Sequence, residues 1–471
     1  MPARLFRSAA LFALLAPMCT AQPIVIDGDT ADWNEGETLR CEGGWLKVRL
    51  GFPSTVSLHA MTQAVPLTLS LRDDADSLRG PKLELVLSPP RTEERRWGPI
   101  IVATAADGTR RELTATEIDL HVAPTAAATA YEIRIGLDEL YEAVGIEAAE
   151  TATLEASAPA TNPGRATIDL CGTAADTARA ELPQIDAAAD RFLAWNVLWS
   201  SPLETPDGFA RILDATRPDV VLIQEWDRGE LAADDVTAWL EEHAAWADGS
   251  WSVQKPDAWG VAVATPHPVV AMGPEQTLAP GSDWDFPVRL ASAVIDLPMG
   301  RTVVGSVHLK CCGSLGSPED ERRLVESVAI RDALIKLRDT HGAEHVVLGG
   351  DFNTSGTLAV LDIAAAGADV DGSPLTYADP RVLADAAYYT FGRPGMNNVR
   401  TRLDFISYSD ASLAETASFV LDTARINGSS LASMGLDALD SAASDHLPVV
   451  VDLRPIAQPG PGSSGGDSSA E

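Results

Sequence analysis

Four short polar clusters, each ending or following an apolar run, constrain the fold of this chain more than any other feature. They are Trp195-Asn196, Gln224-Glu225, Gly350-Asp351-Phe352-Asn353 and Ser444-Asp445-His446-Leu447-Pro448. A short apolar run bounded by turn residues reads as a buried strand, so each cluster falls at a strand tip. Strand tips of one sheet lie side by side however far apart they are in sequence. The side chains gathered in this way are carboxylates, carboxamides and an imidazole, the donors that a divalent cation and a phosphate ester require. Singly, each cluster would read as a turn or a solvated strand end. Their succession in one half of the chain is the signal.

The surrounding runs supply the scaffold. Residues 191–198 and 220–223 read as strands, the second delivering Glu225, and 207–216 and 234–247 have helical spacing. Residues 259–264, 289–296 and 302–309 read as further strands, the last carrying His308. The clearest helix is 318–338, with acidic residues in its first turn and Leu324, Val328 and Leu334 on a helical period. Strands 345–349, 401–408 and 449–453 complete the set. Strands joined by helical crossovers imply an α/β four-layer sandwich, two mixed sheets packed face to face with helices outside. Glu225, emerging after four apolar residues, is a natural ligand for Mg2+ or Mn2+, hard ions that prefer oxygen. Cys311 and Cys312 are adjacent, and three states are open to them: a strained vicinal disulfide, free thiols, or separate partners.

This half resembles the endonuclease/exonuclease/phosphatase superfamily, with its deoxyribonuclease-I-like fold. The match runs through Ala194-Trp195-Asn196-Val197, Leu222-Ile223-Gln224-Glu225, Ser306-Val307-His308-Leu309, Gly349-Gly350-Asp351-Phe352-Asn353, Arg402-Leu403-Asp404-Phe405-Ile406 and Ser444 to Val449. The resemblance implies a Mg2+- or Mn2+-dependent phosphoester hydrolase, with Ca2+ as an additional structural ion. It implies that Asn196, Glu225 and Asp445 serve the metal, and that Asp351 orients or deprotonates the attacking water. By the same resemblance Asn353 holds a phosphoryl oxygen, and His446, oriented by Asp404, contacts the scissile phosphate. His308 would protonate or stabilise the leaving oxygen; it is typical of the deoxyribonuclease-I-like, sphingomyelinase and inositol-phosphatase branches and generally absent from abasic-site enzymes. The expected substrate is a phosphodiester of extracellular DNA or RNA. The alternatives are a phospholipid, a small-molecule or inositol phosphate, and an inactive catalytic domain in a glycan-binding protein. Arg393, Arg400 and Arg402 are the candidates for phosphate contacts, and Trp246, Trp251, Trp259 and Trp284 for a membrane-facing surface.

The first half reads differently. Short alternating runs at 66–71, 82–87, 98–104, 117–122 and 131–135, separated by turn residues, are the signature of an antiparallel β-sandwich. With Ile24-Val25-Ile26-Asp27-Gly28, Asp32-Trp33 and Tyr131 to Leu137, it resembles the family-9-like carbohydrate-binding sandwich modules, which implies a glycan partner. The expected boundaries are a sandwich over 22–180, a linker over 181–189 and the α/β domain over 190–455. Because every catalytic landmark lies beyond 190, this division predicts that a chain starting near 185 keeps its chemistry.

A net charge of −33 argues against a protein that coats polyanions, since such binding rests on neutralising phosphates with Lys and Arg. It leaves room for a hydrolase in which a bridging cation supplies the positive field locally. Arg4 and Arg7, the apolar Ala9–Ala16 and Cys19-Thr20-Ala21 read as a signal peptide over 1–21, giving a secreted, periplasmic or extracellular protein without a transmembrane segment. In that compartment Cys41 and Cys171, flanking the first domain, would be paired. Residues 456–471, rich in Pro, Gly and Ser, should be disordered.

Overall fold

The computed structural model describes residues 25–456, apart from 52–65, 73–80, 87–97, 146–150, 158–164, 170–178, 257–259, 281–285 and scattered shorter breaks. The expected signal segment and all of the expected tail beyond Ile456 lie outside the described residues. So does Cys171, and with it the expected pairing to Cys41.

The first half contains β1 (Leu39–Glu42), β2 (Trp45–Gly51), β3 (Pro66–Arg72), β4 (Lys82–Val86), β5 (Ile100–Thr104), β6 (Arg110–Leu113), β7 (His121–Ala123), β8 (Ala130–Gly136), β9 (Thr151–Ser157) and β10 (Arg165–Asp169). They form two antiparallel sheets, ordered β1-β2-β8-β7 and β10-β9-β3-β4-β5-β6. Alternation explains the core: β4 and β5 bury every second residue, and Leu83, Leu85 and Ile101 meet Leu46, Val48, Ile133 and Ile135 between the sheets. The strand expected over 117–122 is shorter than that. The Glu117 carboxylate takes the Thr114 amide and hydroxyl, and Thr116–Ile118 closes a 3-10 turn ending on left-handed Asp119. Only His121–Ala123 is left to pair with β8. Glu132 and Arg134 on the other face of β8 are also buried, so this sheet is covered on both sides.

The second half contains β11 (Asp190–Asn196), β12 (Val220–Gln224), β13 (Ser252–Gln254), β14 (Ala262–Thr265), β15 (Val269–Met272), β16 (Thr277–Ala279), β17 (Phe286–Val288), β18 (Leu290–Leu297), β19 (Gly300–His308), β20 (His345–Asp351), β21 (Thr376–Tyr377), β22 (Arg381–Val382), β23 (Asp404–Tyr408), β24 (Leu413–Val420) and β25 (Val449–Pro455). One mixed sheet runs β13-β14-β12-β11-β25-β24-β22 and the other β15-β18-β19-β20-β23-β21. They pack face to face through Phe192, Leu222, Val304, Val347, Ile406 and Val449. Helices Pro206–Thr216 and Ala233–His243 cover the outside of the first sheet, and Pro318–His341 and Ala359–Ala365 that of the second. The fold is deoxyribonuclease-I-like, as the strand order at the tips requires.

The long helix buries a wider stripe than the one its apolar period suggested, of which Leu334 alone is fully buried. Arg323, Glu326 and Ser327 are buried with Ile330, Leu334 and Leu337, while Leu324 and Val328 are only partly covered. The reason is the loop after His308. Arg323 donates to the carbonyls of Lys310 and Cys312, and Glu326 accepts from the Lys310 amide. In that loop Cys311 and Cys312 are thiols hydrogen-bonded to each other, 2.9 Å apart at sulfur, so the vicinal disulfide among the three states is not formed. No helix among the described residues is long and apolar enough to cross a membrane.

Candidate active site

Register brings the polar clusters to one end of both sheets. Asn196 at the tip of β11 pairs with Gln224 at the tip of parallel β12, and His308 of β19 lies beside Asp351 of β20, which in turn faces Asp404 of β23. Glu225 then leaves the strand with φ 57° and Asn353 turns with φ 48°, left-handed conformations that redirect the chain at the tips. Gly350 is required by close approach: at φ 137°, a Cβ there would meet the Val307 carbonyl oxygen at 2.2 Å.

Asp351 is the centre of the site. Its Oδ2 lies 3.2 Å from Asn196 Nδ2, 2.9 Å from Asn353 Nδ2, 3.5 Å from His308 Nε2 and 3.8 Å from His446 Nε2. Two carboxamides and two imidazoles thus converge around one carboxylate oxygen. Burial pushes the Asp351 carboxyl up to about 7; the His446 charge opposes this, and Asp404 and Glu225 add to it.

His446 follows a bend at Ser444–Asp445, which lets adjacent Asp and His serve one site. Its Nδ1 is 2.8 Å from Asp404 Oδ2, the Ser444 hydroxyl accepts its backbone amide, and its carbonyl accepts from Trp195 Nε1. Burial alone would strip the proton from this imidazole. The carboxylates of Asp404 and Asp351 prevail and hold it up to about 10, so the ring is cationic at neutral pH. Thr390, which carries no motif and was not foreseen, donates to Asp404 Oδ2 at 2.6 Å and accepts the amides of Leu403 and Asp404.

His308 is the opposite case. Burial first, then Arg289 and His446, push it well below the ordinary histidine value. Arg289 Nη1 is 3.0 Å from Nδ1; a guanidinium only donates, so Nδ1 accepts and the neutral ring carries its proton on Nε2. That Nε2 faces Glu225 Oε1 and Asp351 Oδ2, each at 3.5 Å.

Glu225, Asn196 and Asp445 stand together. Burial raises the Glu225 carboxyl, the His446 charge and a hydrogen bond from Asn196 oppose this, and the Asp445 charge adds to it. Among the described residues no lysine or arginine forms an ion pair with Glu225; the charges of His446 and Arg289 act on it without pairing, and its carboxylate stands beside the Asp445 charge and the Asn196 carboxamide. Such a donor set fits a hard dication. Two Asp/Asp/His groups also bring ligand atoms within 4.8 Å of one another, Asp351–Asp404–His446 and Asp190–Asp219–His267, arrangements consistent with divalent-cation binding. In the first, Asp404 is already committed to the His446 proton and the Thr390 hydroxyl, so the oxygen set around Glu225 is the better seat.

The second group lies at the far end of β11 and offers a test of its own charge state. Asp190 is 2% exposed, and burial pushes its carboxyl up to about 6, with the Met299 amide opposing and Asp219 adding. Its folded value therefore exceeds the unfolded one, about 3.9. The resulting stability is complete below that unfolded value and is lost as pH rises through about 6. Asp190→Asn should accordingly raise the unfolding free energy at pH 8 by roughly 1–3 kcal/mol and leave it unchanged near pH 4, measured by urea unfolding. A loss of stability at pH 8 would show that a cation neutralises Asp190 instead.

Two of the candidate phosphate contacts are turned away. Arg400 is held on Asp119, and Arg402 stacks on Tyr388 and Phe405 at 3.4 and 4.1 Å while donating to the Ala378 carbonyl. Trp251 is buried with Trp246 packed edge-on against it, and Trp259 and Trp284 lie outside the described residues.

Residues 193–446 match the model of the Endonuclease/Exonuclease/phosphatase family. No curated protein matches the chain. Among solved structures, sphingomyelinase C from Streptomyces griseocarneus is similar at 19% identity, over 56% of this chain and 99% of its own, with a TM-score of 0.34. D. rerio TDP2 complexed with a single-strand DNA product is similar at 17% identity, over 57% and 100%, with a TM-score of 0.37. The AP endonuclease LMAP from Leishmania major is similar at 15% identity, over 59% and 93%, with a TM-score of 0.36.

Proposed function

The chain belongs to the endonuclease/exonuclease/phosphatase family, and on that premise we propose that it is an exported, Mg2+- or Mn2+-dependent phosphodiesterase acting on nucleic acid. The observation that carries this reading is the convergence of Asn196, Asn353, His308 and His446 around Asp351 Oδ2. Asn196, Glu225 and Asp445 would hold the cation, which when bound polarises a phosphoryl oxygen and offsets developing charge.

The chain's own residues do the rest. Asp351, a carboxylate once deprotonated, takes the proton of the attacking water as its oxygen bonds to phosphorus. The amide of Asn353 and the cationic Nε2–H of His446 donate to phosphoryl oxygens whose charge grows in the transition state. Asp404 keeps the Nδ1 proton in place, and Thr390 keeps Asp404 in place. His308, neutral with its proton on Nε2, hydrogen-bonds the leaving oxygen as the phosphorus–oxygen bond breaks; of the two roles open to it, stabiliser suits this tautomer better than imidazolium acid.

The second reading, a zwitterionic phospholipid or small diester, is favoured by the sequestration of Arg400 and Arg402, which leaves few cations to grip a polyanion. A panel of plasmid DNA, RNA, sphingomyelin vesicles and inositol phosphates, each with Mg2+ and with chelator, separates the two. We expect nucleic acid to be cut in Mg2+. Turnover of sphingomyelin or an inositol phosphate with both nucleic acids intact would replace the first reading by the second.

A further inference from the structure

The edge of the first domain is continuous, through backbone hydrogen bonds, with the residue bearing the catalytic imidazole. Arg400 N donates to Leu120 O and Val122 N donates to Arg400 O, both at 3.1 Å. The next residue, Thr401, exchanges bonds with Phe391, at 3.0 and 3.2 Å. On the far side Leu447 N donates to Thr390 O at 2.7 Å and Gly392 N donates to Asp445 O at 2.8 Å, flanking His446. Four chain segments therefore form one ladder from β7 to His446. Thr390, in the third segment, fixes Asp404, and the Phe391 ring lies 4.9 Å from the His446 ring. A second set of bonds reaches the segments beside Asp351 and Asp404: Ala127 N donates to Gly356 O at 2.9 Å, in the loop after Asp351, and the Thr125 hydroxyl donates to Arg402 O at 2.8 Å, just before Asp404.

A buried ionic layer lies beneath the ladder. Arg134 of β8 pairs with Asp385 at 2.6 Å, both nearly inaccessible, and Asp119 meets Arg400 and Arg425. The Arg134 guanidinium lies 3.9 Å from the centre of the Trp45 ring. Fully buried His121 stands 5.2 Å from Tyr389 across the same boundary. Separating two surfaces that share buried charge pairs leaves each charge uncompensated, so this boundary resists parting. A module carried on a linker would need none of these contacts.

We propose that the N-terminal sandwich is a positioning element of the active site, with Val122 and Arg400 the positioning residues that set His446 and Asp404 through residues 390–401. This rests on the phosphoesterase reading and reverses the expectation that the first domain is dispensable for chemistry. Displacing a catalytic group by about 1 Å can lower turnover roughly 100-fold, so a ladder of this kind acts on kcat more than on KM.

The test is a full chain carrying a protease site in the exposed stretch 184–188, cut after folding and assayed on bis(p-nitrophenyl) phosphate with Mg2+. The cut halves should co-elute with unchanged kcat. The C-terminal half, once parted in mild denaturant and returned to buffer, should lose kcat roughly 10-fold or more and regain it on adding back the N-terminal half. Halves that separate spontaneously, with the C-terminal half as fast as the intact chain, would overturn the proposal while leaving the hydrolase reading standing. The uncut chain reports that reading by itself. Should the isolated half fail to fold by circular dichroism, Val122→Pro in the intact chain decides. It removes the amide bonded to Arg400 but leaves the β7–β8 pairing, and should lower kcat roughly 5-fold or more with KM within about twofold. Wild-type kcat in that variant would overturn the proposal.

Discussion

Replacing His446 by Ala is expected to lower kcat by roughly 100- to 10,000-fold while leaving the fold intact. The main-chain bonds that hold residue 446, from Trp195 Nε1 and to the Ser444 hydroxyl, do not involve the ring, so its loss should not unravel the loop. Asp404→Asn should be nearly as slow, because the ring then loses the carboxylate that orients Nδ1 and holds its proton. Burial favours the neutral imidazole, so without Asp404 the ring should deprotonate below its present value of about 10, and the alkaline limb of the rate profile should move to lower pH. The double variant should be no slower than His446→Ala, since both changes act through one imidazole. Steady-state kinetics on a soluble diester measures this. Multiplicative losses would mean that the 2.8 Å contact does no catalytic service.

The strand tips were legible in the sequence because a buried strand announces itself as an unbroken apolar run and must shed its polar residues at its ends. Asn196, Glu225, Asp351 and His308 all sit at such ends, and register alone brings them together. Thr390 was not legible. It follows two buried tyrosines in an irregular segment, and its contact with Asp404 depends on how that segment is sandwiched between distant strands. The stripe on the long helix was legible only in part, at Leu334, for a related reason: Arg323 and Glu326 are buried by satisfying a loop, which no hydrophobic period registers. In the first half, alternation gave the sandwich correctly. It also contained a sign of the docking, since Glu132 and Arg134 alternate with Ile133 and Ile135 in a strand buried on both faces. A charged residue is fully buried only where something pairs with it, here Trp33 and Asp385.

Metal dependence is the claim on which the account turns. Glu225 is a carboxylate at the tips with no ion-paired lysine or arginine among the described residues: its side chain is 14% exposed, its nearest imidazole is neutral, and Asp445 repels it while the charges of His446 and Arg289 partly offset that. Glu225→Gln should therefore raise the Mg2+ concentration needed for half-maximal rate by roughly 10- to 100-fold, with some activity recovered at saturating metal. The most direct measurement is turnover of a soluble phosphodiester by the full chain after exhaustive dialysis against chelator. Hydrolysis should fall to background and Mg2+ or Mn2+ should restore it, while the Glu225→Gln variant should need far more of either. Undiminished turnover after dialysis would contradict metal dependence.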